Sequence, residues 1–362
     1  MRVCLLVAML GIFVAPLALA EQARPEVWII SGQSNACGRA ELPGADPDPK
    51  VQMYEKHAWV EAKEPLPLGG TVGPWLACAT EVAKEGIPIR LCGFASGGQP
   101  IKYWDEEAAG WKALSANIKM CGEGASVFLW YQGESDGVDK TDAKTYEAKL
   151  KDLVSRVRTL AKNPKMLLVV VQVARGGEFT IIREAQREFV AADGNAILVP
   201  ALGRAGDLHL TRDGYFELGR EIARALLKTR YQKANDWPGP VLDRAVFGPD
   251  AKTVLLHFAE VKKLAGLTAE DLSAVDATGP AKCVKVEAQN TRAALTFDRE
   301  LKPPAKIQYA GGANPKASLV DEAGNRAPAV LLEITPGSPP DDKETKAPNG
   351  SGPAVKPGDV KK

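Results

Sequence analysis

Short apolar runs alternate with longer amphipathic stretches from residue 26 to about residue 233. The runs have the length of strands, and several are rich in Val, Ile and Leu, as are strands buried on both faces of a sheet. They lie at residues 27–30, 88–94, 126–131, 166–173 and 196–200. The stretches between them predict helices at residues 75–85, 141–161, 181–192 and 213–231. This alternation predicts a parallel sheet between two helical layers, which is a three-layer α/β sandwich.

The pattern changes after about residue 235, where Trp237-Pro238-Gly239-Pro240 predicts a linker or corner. Short β-rich runs follow, separated by Gly, Pro, Asp and Asn, at residues 244–247, 253–258, 283–288, 293–297, 306–309 and 329–334. This spacing predicts a small β-sandwich-like accessory domain over residues 236–335. Residues 336–362 have almost no apolar content, which predicts a disordered tail.

The first twenty residues form a segment of their own. Arg2 precedes an apolar run, and Ala18-Leu19-Ala20 forms a small-x-small cleavage site before Glu21. This order predicts a secretory signal peptide over residues 1–20 and a secreted or periplasmic protein. An uncleaved anchor and a buried N-terminal helix are the alternatives. No later stretch is apolar for long enough to span a bilayer, so no membrane contact is expected after cleavage.

Composition and charge exclude little. The 362 residues are 45% hydrophobic, which is usual for a globular protein. Lys and Arg number 46 and Asp and Glu 45, which gives a formal net charge of +1. Such a balance offers no electrostatic reason to expect nucleic acid as a partner. The oligomeric state is left open.

Five cysteines follow the predicted signal peptide: Cys37, Cys78, Cys92, Cys121 and Cys283. Their spacing fits no zinc site, and histidine is scarce, so neither a metal nor a cofactor is expected. Most of them are interpreted as small buried hydrophobic residues. An odd number leaves at least one thiol unpaired, and the pairing of the others stays open.

A serine follows the first apolar run, in Ile29-Ile30-Ser31-Gly32-Gln33-Ser34-Asn35. Ligands of open parallel α/β sheets bind beyond the carboxyl ends of the strands. Ser34 would therefore face a substrate there, and its own N–H could point at a developing oxyanion. The structural alternative is a turn serine that caps the next helix.

A serine nucleophile needs a general base, usually histidine, and the chain has three. His57 lies in a charged stretch, and His257 lies in the β-rich region, where a strand histidine is the simpler interpretation. His209 lies in Gly206-Asp207-Leu208-His209, just before the last predicted helix of the α/β part. An adjacent Asp can orient the imidazole and stabilise its charged form, which favours His209 as the base.

Two more predicted strands end in polar, glycine-containing turns, Ala95-Ser96-Gly97-Gly98-Gln99-Pro100 and Gln132-Gly133-Glu134-Ser135-Asp136. Glycines let backbone N–H groups approach a ligand closely, and an amide side chain can donate to an oxyanion. Each turn alone is only a loop signal. Together with the Ser34 and His209 turns, they indicate one site for acyl transfer at the strand ends.

These four blocks, in this order, resemble those of the SGNH-hydrolase superfamily. The chain is similar to the branch of the sialate O-acetylesterases and the acetylxylan esterases of carbohydrate esterase family six. The resemblance covers roughly residues 26–232 and implies an α/β catalytic domain of the SGNH/flavodoxin-like kind over residues 21–235. The β-rich region is more weakly similar to the accessory domain of sialate O-acetylesterases.

The resemblance implies roles for individual residues. Ser34 is the expected nucleophile, His209 the base and Asp207 the triad acid, with Glu134 and Asp136 as fallbacks. Much of the superfamily places the acid three residues before the histidine, where this chain has Gly206. The expected oxyanion donors are the backbone N–H of Ser34, the backbone N–H of Gly98 (preferred over Gly97) and the side chain of Gln132.

Similar proteins also carry an Arg-x-x-Gln pair on a late helix, which Arg183 and Gln186 match. Substrate contact and a structural salt bridge are both open for this pair. Three aromatic residues after the second block could stack on a sugar or pack in the core, namely Tyr103, Trp104 and Trp111.

The expected activity is removal of O-acetyl groups from carbohydrates by an exported serine esterase, through an acetyl-enzyme. Two alternatives stay open, a non-catalytic carbohydrate-binding protein and a lipase- or thioesterase-type member of the superfamily. A protein that binds NAD or phosphate is disfavoured because the first strand is followed by neither G-x-G-x-x-G nor a P-loop.

Overall fold

A computed structural model describes residues 24–174 and 179–336 of the chain. The predicted signal peptide and the tail from residue 337 lie outside the described residues. The α/β part has seven strands: β1 Glu26–Gly32, β2 Val51–Glu55, β3 Ala58–Glu61, β4 Ile89–Ala95, β5 Val127–Tyr131, β6 Leu167–Gln172 and β7 Ala196–Pro200. Its helices are α1 Ser34–Cys37, α2 Trp75–Lys84, α3 Ala109–Cys121, α4 Glu134–Asp139, α5 Ala143–Leu160, α6 Thr180–Asp193 and α7 Arg212–Thr229, with a 3-10 turn at Ile101–Trp104.

The seven strands form one sheet in the order β3-β2-β4-β1-β5-β6-β7. All neighbours are parallel except β2 and β3, which form an antiparallel hairpin at one edge. Every residue of β5 and β6 is buried. Helix α2 packs against α7, while α5 packs against α3 and α6. The sheet is thus covered on both faces, and the predicted parallel α/β fold is confirmed.

The strand register brings the polar turns to one edge of this sheet. Gly32, the last residue of β1, lies opposite Ala95 of β4 and Tyr131 of β5. Gly32 has φ +139°, and a β carbon there would lie 2.1 Å from the Tyr131 carbonyl oxygen, so only glycine fits. The three turns that follow these strands therefore begin in the same row.

The second part is a closed antiparallel-rich barrel in the order β10-β11-β12-β9-β8-β14-β13. Its strands are β8 Val241–Phe247, β9 Thr253–Ala259, β10 Leu272–Asp276, β11 Gly279–Gln289, β12 Arg292–Phe297, β13 Ala305–Tyr309 and β14 Val330–Thr335. The predicted β-rich region is present, but it does not form the sandwich that was expected. Strand β14 pairs with both β13 and β8, and β10 pairs with β13, so the sheet closes on itself.

Buried hydrogen bonds join the barrel to the α/β part. Gln172 at the end of β6 pairs with the backbone of Ala329, accepting from its N–H at 2.8 Å and donating to its carbonyl at 3.0 Å. On α7, Glu221 accepts from the N–H of Arg326 at 3.1 Å. Each part keeps its own apolar core. In the described ranges, no helix combines the length and apolar character needed to cross a bilayer.

Candidate active site

Ser34 and His209 meet at the carboxyl edge of the sheet. Ser34 is the first residue of α1, directly beyond β1, and it is 8% exposed. His209 lies in the loop between β7 and α7, which ends where the Thr211 side chain accepts from the Gly214 N–H. The His209 Nε2 atom lies 2.9 Å from Ser34 Oγ. This is hydrogen-bond distance between a hydroxyl and a potential general base, across 175 positions of sequence.

Asn35 ties the two halves of this pair together. Its amide nitrogen donates to Glu134 Oε1 at 2.6 Å and to the Leu208 carbonyl at 3.0 Å. Its amide oxygen accepts from the Tyr215 hydroxyl on α7. Asn35 is 1% exposed and follows the serine, while Leu208 precedes the histidine. The side chain therefore fixes the His209 loop relative to α1.

The surroundings of His209 favour its neutral form. Partial burial lowers its pKa, the Arg39 guanidinium lowers the pKa further, and the Asp207 carboxylate opposes both effects. A lowered pKa favours the unprotonated imidazole, which is the form that can accept the serine proton.

Asp207 is exposed and lies on a tight turn, in which its N–H donates to the His209 carbonyl at 3.0 Å. In the part of the chain that the structure describes, its carboxylate has no hydrogen bond to the His209 ring. The charge of this carboxylate raises the pKa of the imidazole.

The two fallback acids are engaged elsewhere. Glu134 is 2% exposed, holds Asn35 through Oε1, and has no partner for Oε2 among the described residues. Burial raises the pKa of Glu134 to about 7. Asp136 accepts from the Ile101 N–H at 2.8 Å and from the Thr141 hydroxyl at 3.0 Å, and burial raises its pKa as well. Each carboxyl thus connects the third turn to another segment, Glu134 to Asn35 and Asp136 to Ile101.

The two glycines of the second block differ in their distance from the serine. A β carbon at Gly97 would lie 3.6 Å from Ser34 Cβ and 2.6 Å from Arg39 Nη2. One at Gly98, which has φ +70°, would meet no described atom within 4 Å. Gly97 therefore borders Ser34, while the preferred candidate, Gly98, is exposed to open space.

Gln132 lies beside the site but is completely buried. Its amide nitrogen donates to Asp136, to the Gln99 carbonyl at 3.1 Å and to Gln33 Oε1 at 3.3 Å. These contacts link the first three blocks. The expected role of this side chain as an oxyanion donor stays a prediction. To fill that role, the amide nitrogen would have to exchange one of its present acceptors for the oxyanion.

Among the residues that the structure describes, the Arg183 and Gln186 pair has no salt bridge, and both side chains are buried away from solvent. Arg183 is 1% exposed and donates to the carbonyls of Val173 at 3.0 Å and Gly312 at 2.8 Å, which joins α6 to the barrel. Burial lowers its pKa to about 10. Gln186 donates to the Gln132 carbonyl at 2.9 Å. Gln186 therefore holds the backbone of the third turn, while Arg183 holds the barrel.

The aromatic candidates pack within the protein. Trp104 is 1% exposed and stacks edge-on against Trp130 at 5.2 Å between ring centroids. The Arg156 guanidinium covers Trp111 at 4.2 Å from the ring. The other histidines lie elsewhere, His57 in the β2–β3 turn and His257 on β9.

A cavity of about 660 Å³ lies against His209, whose ring contacts Ser34. Its wall includes His209, Arg39, Asp207, Thr211 and Arg212. Arg39 had not been predicted, although it lies only five residues after Ser34. Within the described ranges, no group of three or more His, Cys, Asp or Glu residues is placed to hold a metal ion.

Residues 24–228 match the model of a protein family described as "Carbohydrate esterase, sialic acid-specific acetylesterase". The chain belongs to this family. The match includes all four polar turns, and the predicted resemblance within the SGNH superfamily fits it. This esterase is also 29% identical, over 236 residues, to the "Probable carbohydrate esterase" of Arabidopsis thaliana, covering 56% of this chain and 90% of that protein.

A solved structure supports the fold of this esterase. A carbohydrate acetylesterase from Xanthomonas citri superposes with a TM-score of 0.63 at 19% identity, over 85% of this chain and 80% of that one. The structure of the Arabidopsis protein gives a TM-score of 0.49 at 27% identity, over 56% and 98%. Family membership makes the protein a carboxylic ester hydrolase of the carbohydrate esterases.

Proposed function

We propose that this esterase is exported and removes O-acetyl groups from carbohydrates by a Ser-His-Asp mechanism. The observation that carries the proposal is the 2.9 Å contact between Ser34 Oγ and His209 Nε2 at the edge of the sheet. The family match supports acetyl-ester chemistry, and the sequence of residues 1–20 supports export to a periplasm or the cell exterior.

In the proposed reaction, Ser34 Oγ attacks the acetyl carbonyl while His209 Nε2 takes the hydroxyl proton. The imidazolium then donates this proton to the departing sugar oxygen, which leaves an acetyl-enzyme and a free sugar alcohol. Water then attacks the acetyl group with His209 again as the base, acetate leaves, and the imidazolium returns the proton to Ser34 Oγ. Asp207 stabilises the imidazolium through its charge.

The negative charge of each tetrahedral intermediate needs nearby donors. Ser34 is the first residue of a helical turn, so its N–H has no intrahelical acceptor. We assign this N–H, together with an N–H of the Gly97-Gly98 turn and the Gln132 amide, to the oxyanion. Each donor is worth about 3 kcal/mol in comparable sites.

The substrate is an acetylated carbohydrate, and the family description favours an acetylated sialic acid among such sugars. Acetate release should be measured with O-acetylated sialic acids, acetylated xylan and acetylated pectin. Esters of p-nitrophenol with short and long acyl chains distinguish an acetylesterase, which should prefer acetyl, from a lipase or thioesterase.

The test of the mechanism is the Ser34→Ala variant with Ser135→Ala as its matched control. Ser135 lies in the neighbouring turn and contacts Gln33 through its backbone N–H, which alanine retains. We expect Ser34→Ala to lose at least about 10³-fold in kcat while Ser135→Ala stays close to the parent. Full activity of Ser34→Ala would refute the mechanism, and a fully folded parent that binds sugar without releasing acetate would favour a binding protein.

A further inference from the structure

Arg39 carries a charge that the proposed mechanism does not use. It lies beyond α1, is exposed, and lines the same cavity as His209. Its Nη2 atom lies over Gly97, 2.6 Å from the position a β carbon would take, and that position is 3.6 Å from Ser34 Cβ. The guanidinium therefore lies close to both Gly97 and Ser34, in the wall of the cavity that His209 also lines.

This guanidinium has no carboxylate partner within the described residues. Glu41, Asp207 and Asp213 also line the cavity, yet none of their carboxylates forms an ion pair with Arg39. In Arg212, the other arginine of this wall, Nε lies 3.8 Å from Oδ1 of Asp213. Of the two arginines that the structure describes in this wall, Arg39 is thus the one whose guanidinium donors have no carboxylate partner.

We propose that Arg39 forms a carboxylate-binding subsite, which selects acetylated sugars that carry a carboxyl group. The planar guanidinium presents paired N–H donors that match a carboxylate in two parallel hydrogen bonds. Because Arg39 borders Gly97, the subsite would hold the sugar carboxylate on the side of the cavity next to Ser34. This inference rests on the proposed acetylesterase function.

The charge of Arg39 acts on His209, the proposed base, which agrees with the position of both residues in the wall of one cavity. The guanidinium lowers the pKa of His209, although Asp207 acts in the opposite direction. A bound carboxylate would offset part of the Arg39 charge, so an anionic substrate should raise the pKa of the base relative to a neutral one.

Uronic acids and sialic acids both supply a sugar carboxylate, and a matched substrate pair for each separates the two sources. Each pair consists of an O-acetylated sugar acid and its neutral carboxamide, which has nearly the same shape. The parent should show a kcat/KM about ten-fold or more higher for the acid of the preferred pair. The pair with the larger ratio identifies the source.

The variants Arg39→Met and Arg39→Lys test the residue, with Arg212→Met as the control that removes the same charge from the same wall. Arg39→Met should lose at least about ten-fold more kcat/KM on the acid than on the amide, and Arg39→Lys should recover part of the ratio. Arg212→Met should retain most of it. An equal loss on acid and amide, no preference in the parent, or an equal effect of Arg212→Met would overturn the subsite.

Binding to the Ser34→Ala variant separates this inference from the proposed reaction. Isothermal titration with the same acid and amide pairs should show tighter binding of the acid, and Ser34→Ala combined with Arg39→Met should abolish the difference. A difference in binding without acetate release by the parent would retain the subsite and reject the esterase mechanism. Equal binding of acid and amide would reject the subsite even if acetate is released.

Discussion

Replacement of Asn35 by alanine tests how the Ser34–His209 pair is held together. The change removes hydrogen bonds to Glu134 Oε1, at 2.6 Å, and to the Leu208 carbonyl, at 3.0 Å, and the bond from Tyr215. All of these lie at a residue that is 1% exposed, so the partners are left without a replacement. With about 1 kcal/mol for each neutral bond and up to about 3 for the carboxylate, the loss is roughly 3 to 5 kcal/mol.

The effect on activity follows from the Leu208 carbonyl, since this bond positions the residue before His209. A displacement of the imidazole by about 1 Å lowers the rate on the order of 10²-fold. We therefore expect Asn35→Ala to lower kcat by that factor with KM nearly unchanged, and to lower Tm by about 5 to 10 °C. Steady-state kinetics with an acetyl ester and thermal unfolding measure both quantities.

Tyr215→Phe is the matched control, since it removes only the hydroxyl that donates to Asn35. It should cost about 1 kcal/mol of stability and less than about three-fold in kcat. If Asn35→Ala lowered Tm as expected but kept the parental kcat, Asn35 would have a structural role only, and the argument that it positions His209 would be refuted.

Three further predictions concern charge and space at the site. Because burial and Arg39 lower the pKa of His209, kcat/KM should rise with pH through an apparent pKa below that of a free histidine side chain. Asp207→Asn should move this rise to still lower pH, because the Asp207 charge raises the pKa of His209. An unchanged pH profile in the variant would contradict the charge effect. Glu134 has a folded pKa of about 7, raised from 4.5, so its burial costs stability progressively from about pH 4.5 to 7 and fully above that range. Glu134→Gln keeps the acceptor for Asn35 and should add about 1 to 2 kcal/mol at pH 8, but not at pH 4, in urea unfolding; equal effects at both pH values would contradict the assignment. Gly97→Ala should lower kcat/KM about ten-fold by narrowing the space beside Ser34, whereas Gly98→Ala, which meets open space at φ +70°, should mainly lower Tm; the reverse order would favour Gly98 as the closer glycine.

The sheet that carries the site could be predicted because its central strands are continuous apolar runs. Runs of this kind, such as β5 and β6, are buried on both faces, and parallel strands align their carboxyl ends. It followed that the turns after β1, β4 and β5 share an edge, as the register of Gly32 with Ala95 and Tyr131 shows. The pairing of Ser34 with His209 could be predicted for the same reason, because the two residues follow the carboxyl ends of β1 and β7.

Other elements left a weaker pattern. The β2–β3 hairpin turns at Lys56 and His57, which both have positive φ although neither is glycine, so no turn signal marked it. Helix α3 begins after Ala108 without a side-chain cap. The barrel closes through pairing between β14 and β8, distant segments whose register no local pattern encodes.

The buried supports of the site were hidden for a similar reason. Arg183 donates to carbonyls of the β6–α6 loop and of the barrel. Every residue has a backbone carbonyl, so the sequence does not indicate which one a side chain will bind. The contact of Asn35 with Tyr215 spans 180 positions and could not be inferred from spacing.

Trapping of the acetyl-enzyme tests the central claim most directly. The parent should be mixed with p-nitrophenyl acetate, quenched in acid within the first turnover, and digested for mass spectrometry. The account predicts an added acetyl group on Ser34 that disappears in Ser34→Ala and accumulates more slowly in His209→Ala. Continued turnover by Ser34→Ala, or an acetyl group on another residue of the parent that forms at the rate of turnover, would contradict it.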